Sequence, residues 1–155
     1  MLITELKEKD GITENAKLNR IYIQFGDILR ELRKKELPDK IIESVNQDID
    51  QLNSSSLTGN ELRKLVKKKQ TNILKLLEKE VKIVPKNHYQ NLWLVVGMTA
   101  FGVPIGMTFG LGVTGNASNI AIGLPIGMAI GYALGLEMDK KAFKEGRQLD
   151  VKIKY

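Results

Sequence analysis

Few side chains in this sequence could do chemistry. It has one histidine and no cysteine, which excludes thiolate metal sites, disulfides and cysteine nucleophiles. His88 stands between Asn87 and Tyr89 with no nucleophile patterned around it. It therefore reads as an interfacial side chain near lipid headgroups rather than a general base. The run GLGVTG, Gly110 to Gly115, has the spacing of a dinucleotide-binding loop, with Glu137 about twenty residues further on. Such a loop needs a buried strand before the glycines and a helix after them. Here a long apolar run comes first, so the match is discounted. No paired carboxylates, nucleophile–base pair or ligand cluster stands out. The sequence predicts no enzyme, no cofactor and no metal.

The chemistry that remains belongs to the backbone. The phrase AFGVPIGMTFG, residues 100–110, recurs as AIGLPIGMAIG at 121–131, with seven of its eleven positions identical. On a helix, Pro104 has no N–H to give the carbonyl of Ala100, and Pro125 has none for Ala121, so the two runs are expected as a matched pair of kinked helices. In hydrocarbon such a carbonyl is costly unless a neighbouring helix, a hydroxyl, water or an ion meets it. Thr99 and Thr108 are the hydroxyls at hand, and they are the side chains that could line a lumen. Gly102, Gly106 and Gly110 fall four apart, as do Gly123, Gly127, Gly131 and Gly135. A four-residue step stays nearly in line on a helix, so each run carries a groove without side chains. In lipid, close approach of this kind drives helix association. One groove could seal the two runs together while the other meets a second chain.

These residues sit in a block unlike the rest of the chain. From Asn87 to Leu136, 50 residues, there is no Asp, Glu, Lys or Arg. The apolar run 92–113 has 22 residues and would reach about 33 Å as a helix, one bilayer core. The run 120–136 has 17 and would reach about 25 Å, near the lower limit. The short polar turn TGNASN between them predicts an antiparallel transmembrane hairpin. Lys79, Lys82 and Lys86 precede it, and Lys140, Lys141, Lys144 and Arg147 follow. The positive-inside rule then places both termini in the cytoplasm, with Tyr89 and Trp93 in the interfacial belt. A soluble protein with two core helices is the rival reading, but neither run offers a polar face to water.

The reading divides the chain into a helical domain at 1–86, the hairpin at 87–138 and a basic cytoplasmic tail at 139–155. The fold class is all-α. Leu18, Ile21, Phe25, Ile28, Leu29 and Leu32 recur at three and four within a helix predicted over 13–36. Pro38 is expected as the first residue of a second helix carrying Ile41, Ile42, Val45, Ile49 and Leu52. Thr58 and Glu61 form a capping-box pattern ahead of a third. Residues 61–86 hold 9 basic and 3 acidic side chains, the source of most of the net positive charge. Lys67, Lys68 and Lys69 are expected on the wet side of that third helix. With Lys82, Lys86, Lys140 and Lys141 they could contact anionic headgroups. Nucleic acid is not expected, because no aromatics interleave the RKLVKKK run. The amino-terminal stretch shows no cleavable secretory signal. The tail DVKIKY alternates and is expected as a short strand against VKIV at 81–84.

GVPIGMTFG, GLPIGMAIGYALG, the exit MDKKA and the tail EGRQLDVKIKY resemble the small two-span glycine-zipper membrane proteins of bacteria. The likeness covers roughly Asn91 to Lys141. It implies residence in the bacterial plasma membrane and close helix packing, and it names no activity. The prolines depart from the plainer zippers, which mostly carry Ala, Leu or Ile there. Two functions follow as expectations. One is a homo-oligomeric membrane assembly forming a pore gated by the cytoplasmic helices. The other is a membrane-anchored scaffold that recruits a cytoplasmic protein.

Overall fold

Asn15 opens α1 (Ala16–Leu32). Its side-chain carbonyl accepts from the amides of Lys17 and Leu18, both at 3.1 Å, satisfying two of the donors that a helix start leaves over. In this computed structural model, residues 2–115 and 120–153 are described. The residues of the expected turn at 116–119, and the last two of the tail, lie outside them. The chain forms two units, Met1–Pro85 with Leu149–Tyr155, and Lys86–Gln148.

In the first unit α1 buries Leu18, Phe25, Ile28, Leu29 and Leu32. Pro38 stands at the N-cap of α2 (Asp39–Ser54) rather than inside it, and its carbonyl accepts from Ile41 at 2.9 Å and Ile42 at 3.2 Å. α2 turns Val45, Ile49 and Leu52 inward. Thr58 caps α3 (Gly59–Val81) in position only, for its side chain makes no capping bond. The next residue, Gly59, has φ +53°, and a capping box needs right-handed residues directly after the cap. α3 contributes Leu62, Val66, Ile73 and Leu77 to the same core.

Lys69 corrects the expected wet face of α3. It lies seven residues, about two turns, from Leu62 and so returns to the buried stripe. Only 8% exposed, it is paired with Asp48 of α2 at 2.7 Å and also donates to Gln51. It is not available to a headgroup. Lys67 and Lys68 are exposed.

The tail is not a separate segment either. Strand β1 (Val84–Pro85) pairs with β2 (Gln148–Leu149), so the ladder falls before the alternating residues at which it was expected. Leu149 and Val151 are nonetheless buried in the core of the first unit, with Ile153 packed against it. Glu31 accepts from the Asp150 amide at 3.4 Å. Its carboxyl is held below the usual range, chiefly by a hydrogen bond from Lys34.

The second unit is built from two helical rods. The first runs through α4 (His88–Gly97), a π-helical turn at Met98–Gly102, α5 (Val103–Phe109) and a second π-helical turn at Gly110–Thr114. The second rod is α6 (Ile120–Lys144), continuous across Pro125. Both are long and apolar enough to cross a membrane.

Candidate functional site

Glycine backbones meet glycine backbones along the line where the two rods touch. A β-carbon at Gly106 would stand 2.7 Å from Cα of Ile120, and one at Gly102 would stand 3.0 Å from the carbonyl oxygen of Gly123. Further along, added β-carbons at Gly123, Gly127 and Gly131 would run into the backbones of Gly102, Gly97 and Trp93. At the far end a β-carbon added at Gly135 would stand 2.5 Å from the carbonyl oxygen of Tyr89 and 2.6 Å from Cα of Gln90. As the number on one rod falls, the number on the other rises, so the rods are antiparallel. Every contact in this series is backbone against backbone. No side chain fits there without moving a helix, which is why only glycine serves.

Gly110 is also buried, at the start of the second π-helical turn. Gly97 falls outside the four-residue spacing, because it lies five residues before Gly102. The intervening turn, Met98–Gly102, is π-helical, and the Val103 amide reaches back five residues to the carbonyl of Met98. That wider turn brings Gly97 onto the same stripe. A five-residue gap between glycines just ahead of a proline is the sequence signal that could have found it.

The same π-helical turn accommodates Pro104. It ends one helical segment and begins another, so Pro104 falls within the first turn of α5, where a missing N–H does least harm. Pro125 has no such arrangement and sits inside α6. The twin prolines are therefore handled differently, and the expected matched pair of rods is in fact an interrupted rod beside a continuous one. Pro104, Pro125, Ala100 and Ala121 all lie on the exposed side, away from the glycine line. The threonines do not reach those carbonyls. Thr99 donates to Val95 at 3.0 Å and Val96 at 3.2 Å, and Thr108 donates to Pro104 at 2.9 Å. Each hydroxyl is thus returned to its own helix.

At the open end of the pair, Asp139 performs a task that the sequence reading did not assign. Asn87 precedes α4 in a left-handed conformation and makes no side-chain cap. Asp139, on α6 and only 6% exposed, supplies the cap instead. Its two oxygens accept from the amides of Tyr89 at 3.2 Å and Gln90 at 2.9 Å. A carboxylate on two amides at a helix start is favoured both by hydrogen bonding and by the helix dipole. It lies one turn beyond Gly135, so the clamp continues the glycine line.

With the glycines turned inward, the bulky side chains point outward. Phe101, Met107, Phe109, Leu111 and Val113 on the first rod are exposed, as are Ile122, Ile126, Ile130 and Leu134 on the second. Just 22% of each apolar window is buried. Beyond Leu136, Lys140 pairs with Glu137 at 2.8 Å and Lys141 lies 4.0 Å from Glu145. Both lysines are exposed, as are Lys82 and Lys86. His88 packs edge-on against Tyr89, ring centres 5.1 Å apart. Gly110–Thr114 is helical, with none of the strand-then-loop geometry of a phosphate cradle. Among the described residues no cluster of His, Asp or Glu could hold a metal ion.

No family model, curated protein or solved structure matches the chain. Geometry alone therefore carries the functional reading.

Proposed function

We propose that this chain is an integral membrane protein in which Lys86–Gln148 is an anchoring helical hairpin and the first unit is a cytoplasmic interaction module. The observation that carries the proposal is the inverted amphipathicity of the rods, with glycine inside and large aliphatic and aromatic side chains outside. In a soluble core helix the bulky residues are the buried ones. A continuous apolar exterior of this extent would be unstable in water and suits lipid. The basic flanks support cytoplasmic ends. The core of the first unit holds residues from both sides of the hairpin, Ile83 before it and Leu149 after it, which supports placing both ends on one side of the membrane.

The anchoring reading is favoured over a pore by where the polar groups go. The glycine grooves are spent on each other within one chain, and both threonine hydroxyls are spent on their own helices. Assembly with other copies retains one supporting feature, an apolar groove of about 550 Å³ lined by Pro104, Ile105, Thr108, Phe109, Gly112 and Val113. The test is alkaline extraction of membranes from expressing cells, followed by ion flux in reconstituted liposomes. The anchor reading expects the chain in the membrane pellet and flux equal to that of protein-free liposomes. Release into the supernatant would refute membrane residence, and flux that disappears in a Gly127→Leu variant would restore the pore.

A further inference from the structure

With Lys69 turned inward to Asp48, the other lysines of α3 are left on the outside. Lys64, Lys67, Lys68, Lys75 and Lys79 are all exposed. Counted from Lys64 they fall 3, 4, 11 and 15 residues on, positions that return to one face of a helix. That face lies opposite Leu62, Val66, Ile73 and Leu77, which are in the core. From Lys64 to Lys79 the stripe runs about 22 Å along the helix axis.

Other exposed cations of the chain are neutralised locally. Arg30 pairs with Asp27, Lys34 with Glu31 and Lys140 with Glu137, the carboxylate in each case three residues earlier. Lys64, Lys67, Lys68 and Lys75 break that pattern. Among the described residues, no carboxylate pairs with any of the four. Glu61 and Glu78 stand three residues from Lys64 and Lys75 without bridging to them. Lys64 instead has Lys67 and Lys68 as its three- and four-residue neighbours, and like charges so placed repel. An anionic surface laid against the face turns that repulsion into attraction.

The make-up of the face selects a broad anion over a small one. Ammonium groups spread over about 22 Å do not converge on a single phosphate. All five are lysines, point charges without the fork of arginine, and no aromatic ring stands among them for a base to stack on. Position then selects the bilayer. Seven residues separate Lys79 from Lys86, where the second unit begins, at most about 25 Å of chain. The returning strand closes the same junction, pairing Gln148–Leu149 with Val84–Pro85. A membrane that holds the hairpin is therefore always within reach of α3, at an effective concentration that a free partner lacks.

We propose that the exposed lysine face of α3 docks the first unit on the anionic phospholipid headgroups of the bilayer that holds its own hairpin. The inference deepens the interaction-module reading and rests on the hairpin being in lipid. Each lysine near an anionic surface is worth roughly fivefold in binding, so the four unpaired ones multiply to about 10²–10³. The attraction fades within a Debye length, about 10 Å at 0.1 M salt and about 3 Å at 1 M. Docking is thus reversible by salt, whereas insertion of the hairpin is not.

The test uses the full-length chain in phosphatidylcholine vesicles with and without phosphatidylglycerol. A dye is placed at Asn72→Cys, an exposed position beside the stripe, and the native chain has no competing cysteine. A nitroxide on the lipid headgroup quenches the dye on contact. Docking predicts quenching in the anionic vesicles, lost at about 1 M salt, and none in the neutral ones. Lys64→Gln, Lys67→Gln, Lys68→Gln and Lys75→Gln together should lower the ratio of docked to undocked chain by about 10²–10³-fold. Removing as many charges elsewhere, with Lys17→Gln, Arg20→Gln, Lys34→Gln and Lys40→Gln, should leave most of the quenching in place. Matching circular dichroism shows that both variants are folded. Quenching that is equal in the two kinds of vesicle, or that survives the α3 substitutions, would overturn the proposal. Absence of quenching together with lysine-dependent binding of duplex DNA or polyglutamate would overturn it too, and would assign the face to a soluble polyanion. Flotation reports on the hairpin separately. Chain that floats with neutral vesicles in high salt is inserted, whereas chain that floats only with anionic ones would keep the lysine face and refute the hairpin.

Discussion

At the scale of single residues, the two rods are held together by what is missing. Gly131 tolerates no β-carbon because the carbonyl of Trp93 occupies its place, whereas Gly112 has nothing within 4 Å. Gly131→Ala should therefore lower the stability of the hairpin in detergent by about 1–3 kcal/mol, as overpacking does, while Gly112→Ala should leave the melting temperature almost unchanged. Asp139 is the other residue on which the pairing depends. Asp139→Ala removes an N-cap carboxylate and should cost about 1–2 kcal/mol. Hydrogen exchange should speed up first at the Tyr89 and Gln90 amides, and a uniform rise along α4 would argue against a local cap. The four-spaced glycines were visible in the sequence because their period is helical. Asp139 was not, because its partners are amides fifty residues away, and amides leave no mark on a side-chain pattern. Lys69 was misplaced for a related reason: a charge on a buried stripe is tolerated only because Asp48 faces it, and that pairing belongs to the tertiary structure.

At the scale of elements, the two copies of one phrase adopt two structures. The π-helical turn ahead of Pro104 places the proline where a helix can accept it and brings Gly97 into the contact line. α6 carries Pro125 within an unbroken helix. Substitution should expose the difference. Pro125→Ala gives the Ala121 carbonyl its donor back and should stabilise the hairpin by about 1–3 kcal/mol, read by thermal loss of helicity in micelles. Pro104→Ala should change it by much less. Equal gains at both positions would mean that the π-helical turn does not relieve the first proline. Periodicity marked the helices of the first unit closely, since each buries one stripe. It did not reveal the arm at 2–9, which has no period of its own and is held by Asn46 and Asn53 of α2.

At the scale of the whole molecule, the sequence separated charge-rich from charge-free chain; the charge-free block lies within the second unit, which continues through the charged end of α6 to Gln148. The tail was harder to read. Its few alternating residues gave no hint that Leu149 and Val151 complete the core of the first unit. The central claim is that the rods turn glycine toward each other and bulk toward lipid, and spin labels can test it directly. With labels placed singly at Phe101, Ile126 and Ile130 in liposome-reconstituted chain, collision with dissolved oxygen, which concentrates in the bilayer, should be frequent. Collision with a water-soluble nickel chelate should be rare at all three positions. Labels that meet the chelate as freely as one on the exposed Gln47 of α2 would place these helices in water and contradict the account.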